Sequence, residues 1–182
     1  MSSKQTFARG AIFRVALVGI CAALIEAVKL ALAAIPNVEG VTLFCALFGY
    51  CFGWWGVLST AVFVSIEPLI YGYNTWVISY YLYWPLVAVV FWGLRKIRVK
   101  NRILITLIAV LLTCWFSVLT SLVDVGLFTG MRNNYWHRFR IYFLRGTWFY
   151  IVQITCNAVV FSLLFRPLSK LLLVLERKFF QK

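Results

Sequence analysis

Long apolar runs, interrupted at a few sharp points, set the reading of this chain. From Ala11 to Ile35 the residues are apolar apart from Arg14, Glu26 and Lys29, and Ala34-Ile35-Pro36-Asn37-Val38-Glu39-Gly40-Val41-Thr42 then breaks the run. A proline and a glycine four residues apart end one helix and start another. The apolar stretch from Val38 to Tyr73 is too long for one crossing of a hydrocarbon layer of about 30 Å. It must fold back where Gly49, Gly53 and Gly56 flank the interfacial pair Trp54-Trp55. Six spans follow, over 11–35, 38–53, 55–72, 75–94, 103–127 and 141–166, with a basic amphipathic tail over 168–182 lying at the interface. A loop of about a dozen residues, 128–140, separates the last two spans.

Composition agrees with this pattern. Of 182 residues, 63% are hydrophobic, well above the roughly 45–50% of a soluble domain, and the mean hydropathy is +0.90. The chain is expected to be a single all-α integral membrane domain, multi-pass in the cell membrane. At about 20 residues per span it has no room for a soluble catalytic domain. The basic start, apolar run and Ala31-Leu32-Ala33 imitate a signal peptide, but Glu26 and Lys29 interrupt what should be an apolar core.

The net charge of +13 then reads as topology. Five cations fall between Arg95 and Arg102, where no nucleic-acid role is needed to explain them. With six spans they share a side with both termini and with Arg166, Lys170, Arg177 and Lys178, so the termini are expected to be cytoplasmic. The segments 36–40, 71–74 and 128–140 then face outward.

Polar residues inside spans are costly in lipid and should point into the bundle. Glu26, Lys29, Glu67, Asp124, Arg145, Gln153 and Asn157 cluster on the outward half and outline a cavity. Glu26 with Lys29 and Asp124 with Arg145 suit ion pairing, whereas Gln153 and Asn157 have no obvious ionic partner and suit a ligand role. Asn37 and Glu39 can cap the next helix or reach between helices. Tyr80, Tyr83 and Trp84 share one helix face, fitting either packing or a stacking wall for a flat ligand. Gly19, Ala23, Ala27 and Ala31 recur every four residues as a ridge of small side chains, which suits internal packing or a partner.

No motif for ATP hydrolysis, for a metal site or for a serine nucleophile is present. The chain is therefore expected not to be an enzyme, to hold no metal and to have no intrinsic cofactor. The five cysteines sit singly in apolar segments as small packing residues. A small membrane enzyme or scaffold acting on lipid is a different class, with Glu39, Glu67 and Asp124 as its acids and Arg95 to Arg102 holding anionic headgroups.

Six spans in this length, the ridge Gly19/Ala23/Ala27/Ala31 and the loop Pro36-Asn37-Val38-Glu39-Gly40-Val41-Thr42-Leu43 before a glycine-marked turn resemble a substrate-binding S-component of an energy-coupling factor vitamin transporter, over essentially the whole chain. Within that family the stretch from Glu26 through Trp84 looks most like the cobalamin-specific members. The resemblance implies a subunit that captures a micronutrient from outside. It then tilts to release it inward while docked on a module of one transmembrane coupling subunit and two ATPase subunits. It makes the ridge the docking face. It also places the substrate site at outer helix ends and loops: Asn37, Glu39, Tyr71, Tyr73, Trp76, Tyr80, Tyr83, Trp84, Asp124, Tyr135, Trp136, Arg145 and Trp148. Cobalamin is the implied ligand, with folate, pantothenate or another micronutrient as alternatives.

Overall fold

A computed structural model describes residues 3–36, 38–130 and 134–180. Every regular element in it is a helix: α1 (Ser3–Leu32), α2 (Val41–Phe52), α3 (Trp54–Tyr71), α4 (Trp76–Lys96), α5 (Arg102–Thr129) and α6 (Tyr135–Phe180). Five of them are long and apolar enough to cross a membrane. The sixth, α2, has 12 residues and rises only about 18 Å at about 1.5 Å per residue, short of a hydrocarbon layer of about 30 Å.

Successive helices alternate in direction. Ser65 of α3 meets Tyr81 of α4, and Ser121 of α5 meets Tyr150 of α6, whereas Arg14 over Trp55 at one end and Lys29 on Glu67 at the other align α1 with α3. One end of the bundle therefore collects the finish of α1, α3 and α5 and the start of α2, α4 and α6. The opposite end carries the α4–α5 loop with its cations.

Short α2 is the centre of the core and contacts α1, α3, α4 and α6. Ten of its residues are buried, which is why its sequence is apolar all round rather than on one stripe. Two glycines make this possible. A Cβ on Gly49 would stand 2.1 Å from the Ala88 carbonyl oxygen of α4, and one on Gly56 would stand 2.0 Å from that of Phe48. Of the three glycines expected at the turn, only Gly53, at φ +60°, makes it. The other two are helix contacts.

Two expectations need correction. The loop expected over 128–140 is shorter, because α6 begins at Tyr135. The tail over 168–182 is no separate interfacial helix: α6 runs unbroken from Tyr135 through Pro167 to Phe180. A proline removes one backbone hydrogen bond, a loss that membrane helices accommodate locally, and Pro68 and Pro85 likewise lie inside α3 and α4. After α1 the chain turns back into the bundle, where Glu39 both caps α2 and reaches between the helices, the two roles its position offered.

Candidate functional site

The depth of Glu39 follows from α2 being short. To reach the first turn of α2, the chain after α1 must descend into the bundle, and Val38 and Glu39 line a cavity there. Asn157 of α6 fixes the level, donating from Nδ2 to Glu39 Oε1 at 3.0 Å and to Thr113 Oγ1 of α5 at 3.1 Å. Thr113 lies near the middle of α5. Glu39 also accepts from the Thr42 backbone N–H at 3.2 Å and from the Thr42 hydroxyl at 2.5 Å. It thus caps the first turn of α2 and bridges to α6 at once. Irregular backbone at such depth is tolerated where protein surrounds it or where it lines a cavity.

The cavity has a volume of about 320 Å³. Leu32, Ile35, Pro36 and Val38 form one side, and Tyr80, Trp84, Phe116, Tyr150 and Gln153 face them from α4, α5 and α6. Trp76, Tyr80 and Trp84 climb α4 at four-residue spacing, with ring centroids 4.9 Å and 5.6 Å apart along the series. Trp84 is 3% exposed, and its indole N–H has no partner among the described residues. A buried donor without an acceptor costs on the order of 1–3 kcal/mol, so a ligand acceptor at this wall would recover that loss.

Lys29 forms the mouth. It pairs with Glu67 of α3 rather than with Glu26 on its own helix, and its ammonium lies 4.1 Å from the Tyr71 ring centroid, with Trp76 and Tyr80 within about 6 Å. Glu26 instead accepts from the Tyr71 hydroxyl at 2.9 Å. The second expected pair is also different. Asp124 accepts from Thr75 at 2.5 Å and from Tyr142 at 2.7 Å, and Arg145 is exposed. For Lys29 a neighbouring helix supplies a better-placed partner than the residue three positions back on its own helix. For Asp124 the residue before α4 and another residue of α6 take the place expected for Arg145.

Four of the chain's five acidic residues, Glu26, Glu39, Glu67 and Asp124, gather at this end. In a chain of net charge +13 that is a strong segregation, and Lys29 is the one cation among the cavity's lining residues.

The other expected site residues divide. Glu39, Tyr80 and Trp84 line the cavity, and Tyr71 and Trp76 surround Lys29 at its mouth. Tyr83 does not line it: fully buried, it stacks on Phe116 at 4.4 Å. Tyr73 is exposed in the α3–α4 connection and Trp148 on α6. Tyr135 and Trp136 border a separate apolar hollow with Ile78, Leu122 and Leu127. Asn37 lies outside the described residues. Of the two amides, Gln153 lines the cavity, and Asn157 is buried beneath Glu39. Phe63, Phe116 and Tyr150 were missed because an isolated aromatic in an apolar helix carries no positional signal. Gly19, Ala23, Ala27 and Ala31 are all exposed along α1, so the ridge is not used for packing within the bundle.

No family model, curated protein or solved structure matches this chain.

Proposed function

We propose that this chain is the substrate-binding S-component of an energy-coupling factor importer. It would capture a micronutrient from outside and deliver it inward when docked on a coupling subunit and two ATPase subunits. The observation that carries this reading is the cavity at the convergent helix ends, closed on one side by a segment that descends to Glu39. Alternating helices leave the cations at the opposite end, and the positive-inside rule makes that end, with both termini, cytoplasmic. All six helices, short α2 included, then belong to one membrane domain. The exposed ridge of α1 is free to meet a coupling subunit.

The cavity's size bears on the ligand. At about 320 Å³ it suits a flat heterocycle of vitamin size, near the lower bound of common ligand sites. Cobalamin, the ligand the resemblance favours, is much bulkier, and its binding requires the cavity to widen. Binding is better supported than chemistry on lipid. Glu39, Glu67 and Asp124 are committed to three different sets of partners rather than gathered around one reacting position.

Titration of the purified subunit with cyanocobalamin, followed by visible absorbance after gel filtration and by calorimetry, tests the ligand. Saturable one-to-one binding without ATPase subunits is the expected result. Absence of binding to cobalamin and to a panel of folate, pantothenate and other vitamins would overturn the reading. Ala27→Trp should abolish uptake in cells and leave binding unchanged, and loss of binding in that variant would remove α1 as the docking face.

A further inference from the structure

We propose that the hollow between the α4–α5 loop and the late part of α6 binds the phosphate headgroup of an anionic phospholipid. It has a volume of about 390 Å³ and is lined by Lys100, Arg166 and Lys170 together with Tyr50, Ile105 and Phe165. Three cations thus converge on one depression that contains no carboxylate. The acid at this end of the molecule, Glu176, is held by Arg95 at 2.9 Å. The site is also built. Arg166 donates to the Lys100 carbonyl at 2.6 Å, Ser169 donates to the Arg166 carbonyl at 3.0 Å, and the Tyr50 hydroxyl donates to Val99 at 3.1 Å. The first ties the α4–α5 loop to α6 and the last ties it to α2, which fixes Lys100 beside Arg166 and Lys170 against their mutual repulsion.

Position along the membrane normal selects lipid over a soluble phosphate. Arg145 and Arg166 bracket the apolar part of α6, about 31 Å apart at about 1.5 Å per residue, which matches a hydrocarbon layer of about 30 Å. Arg166 therefore sits at the headgroup level, Lys170 lies one turn further out, and Lys100 flanks both. On the membrane side of the cations, Ile103 and Leu104 of α5 and Leu164 of α6 are exposed and apolar, a surface for acyl chains. A guanidinium and two ammonium groups match a phosphate's oxygens, and anionic lipids of the cytoplasmic leaflet supply that phosphate. The positive-inside rule explains the sign of this end, but it does not require three cations to share one hollow. The proposal does not depend on what the opposite cavity carries.

The test is native mass spectrometry of the full chain in detergent, titrated with phosphatidylglycerol, with phosphatidylcholine of the same acyl chains, and with inorganic phosphate as competitor. The expected result is one retained phosphatidylglycerol, bound at least tenfold more tightly than phosphatidylcholine. Arg166→Gln and Lys170→Gln should each weaken it by tenfold or more, while Arg177→Gln, an equal change of charge two turns further on, leaves it unchanged. Lys170 is exposed, so its variant keeps the test valid if Arg166→Gln fails to fold. Equal binding of the two lipids, or equal weakening by Arg177→Gln, would reduce the effect to diffuse charge and overturn the proposal. Displacement of the lipid by inorganic phosphate at micromolar concentration would assign the hollow to a soluble phosphate compound and overturn it as well.

Discussion

Replacing Asn157 with leucine removes its bond to Glu39 and its bond to Thr113 and nothing else of comparable size, since the side chains are near in volume. A hydrogen bond to a charged acceptor is worth about 1.5–3 kcal/mol, whereas bonds between membrane helices average nearer 0.6 kcal/mol. Glu39 keeps both bonds from Thr42 and a longer one from Gln153 Nε2 at 3.4 Å, and Asn157 Oδ1 has no partner among the described residues to lose. The cost should therefore fall between those figures, at about 1–2 kcal/mol. For a chain of this length, 1 kcal/mol moves the melting temperature by about 2–4 °C, so Asn157→Leu should lower it by about 2–8 °C in detergent. The charge contribution is isolated by repeating the change in a Glu39→Gln background, where the lost bond is between neutral groups and the cost should drop to about 0.6 kcal/mol. Ligand affinity should fall at least tenfold in the single variant, because the segment closing the cavity has lost its anchor. A shift below 1 °C, or the same cost in both backgrounds, would refute the role given to this bond.

Gly49→Leu places a side chain where a Cβ already meets the Ala88 backbone. Overpacking of that kind costs on the order of 1–3 kcal/mol or more, and loss of a cooperative melting transition is expected; an unchanged melting curve would mean that α2 and α4 are not so close. Lys29→Met should leave Glu67 as an uncompensated buried carboxylate and destabilise by about 3–5 kcal/mol, an upper figure because Lys29 is partly exposed. Lys29→Met with Glu67→Leu should recover most of that loss, and thermal unfolding of the two variants would show no recovery if the pair is not formed. Arg95→Leu frees the Tyr50 and Cys51 carbonyls at the end of α2 and Glu176 of α6. It should cost about 1–3 kcal/mol, and hydrogen exchange should rise at the end of α2 and in the last turns of α6.

Helices and their breaks were legible because lipid-facing and buried positions are both apolar, so an apolar run ends only where the chain turns. Gly53 and the polar segment after α1 were recognisable on that ground. Length was harder to read. Val38 to Gly53 has enough apolar residues for a short span, but α2 begins only at Val41, and the bond that holds Glu39 ahead of it comes from Asn157, more than a hundred residues away. The ion pairs failed for a similar reason. Glu26 and Lys29 are neighbours on one helix, but Glu67 and Tyr71 present themselves from α3, and a partner across helices leaves no trace in local spacing. Proline misled at residue 167 because helix-breaking is a rule of aqueous chains. The alternation in small residues along α1 predicted a close-contact face but could not say whose, and the exposure of Ala23 and Ala27 narrows it to a surface outside this bundle.

The descent of the chain to Glu39 also has an electrical consequence. If the cavity end faces outward, as proposed, a solvated cavity would carry the outside potential down to Glu39 and leave the membrane voltage to drop across the thinner half beneath it. Moving a unit charge through the whole field is worth about 2.3 kcal/mol per 100 mV, and nearly all of it would fall on the passage of a monovalent ligand from beside Glu39 to the inside. A membrane negative inside would therefore leave capture at this seat nearly insensitive to voltage, and would favour inward release of a cation over that of an anion.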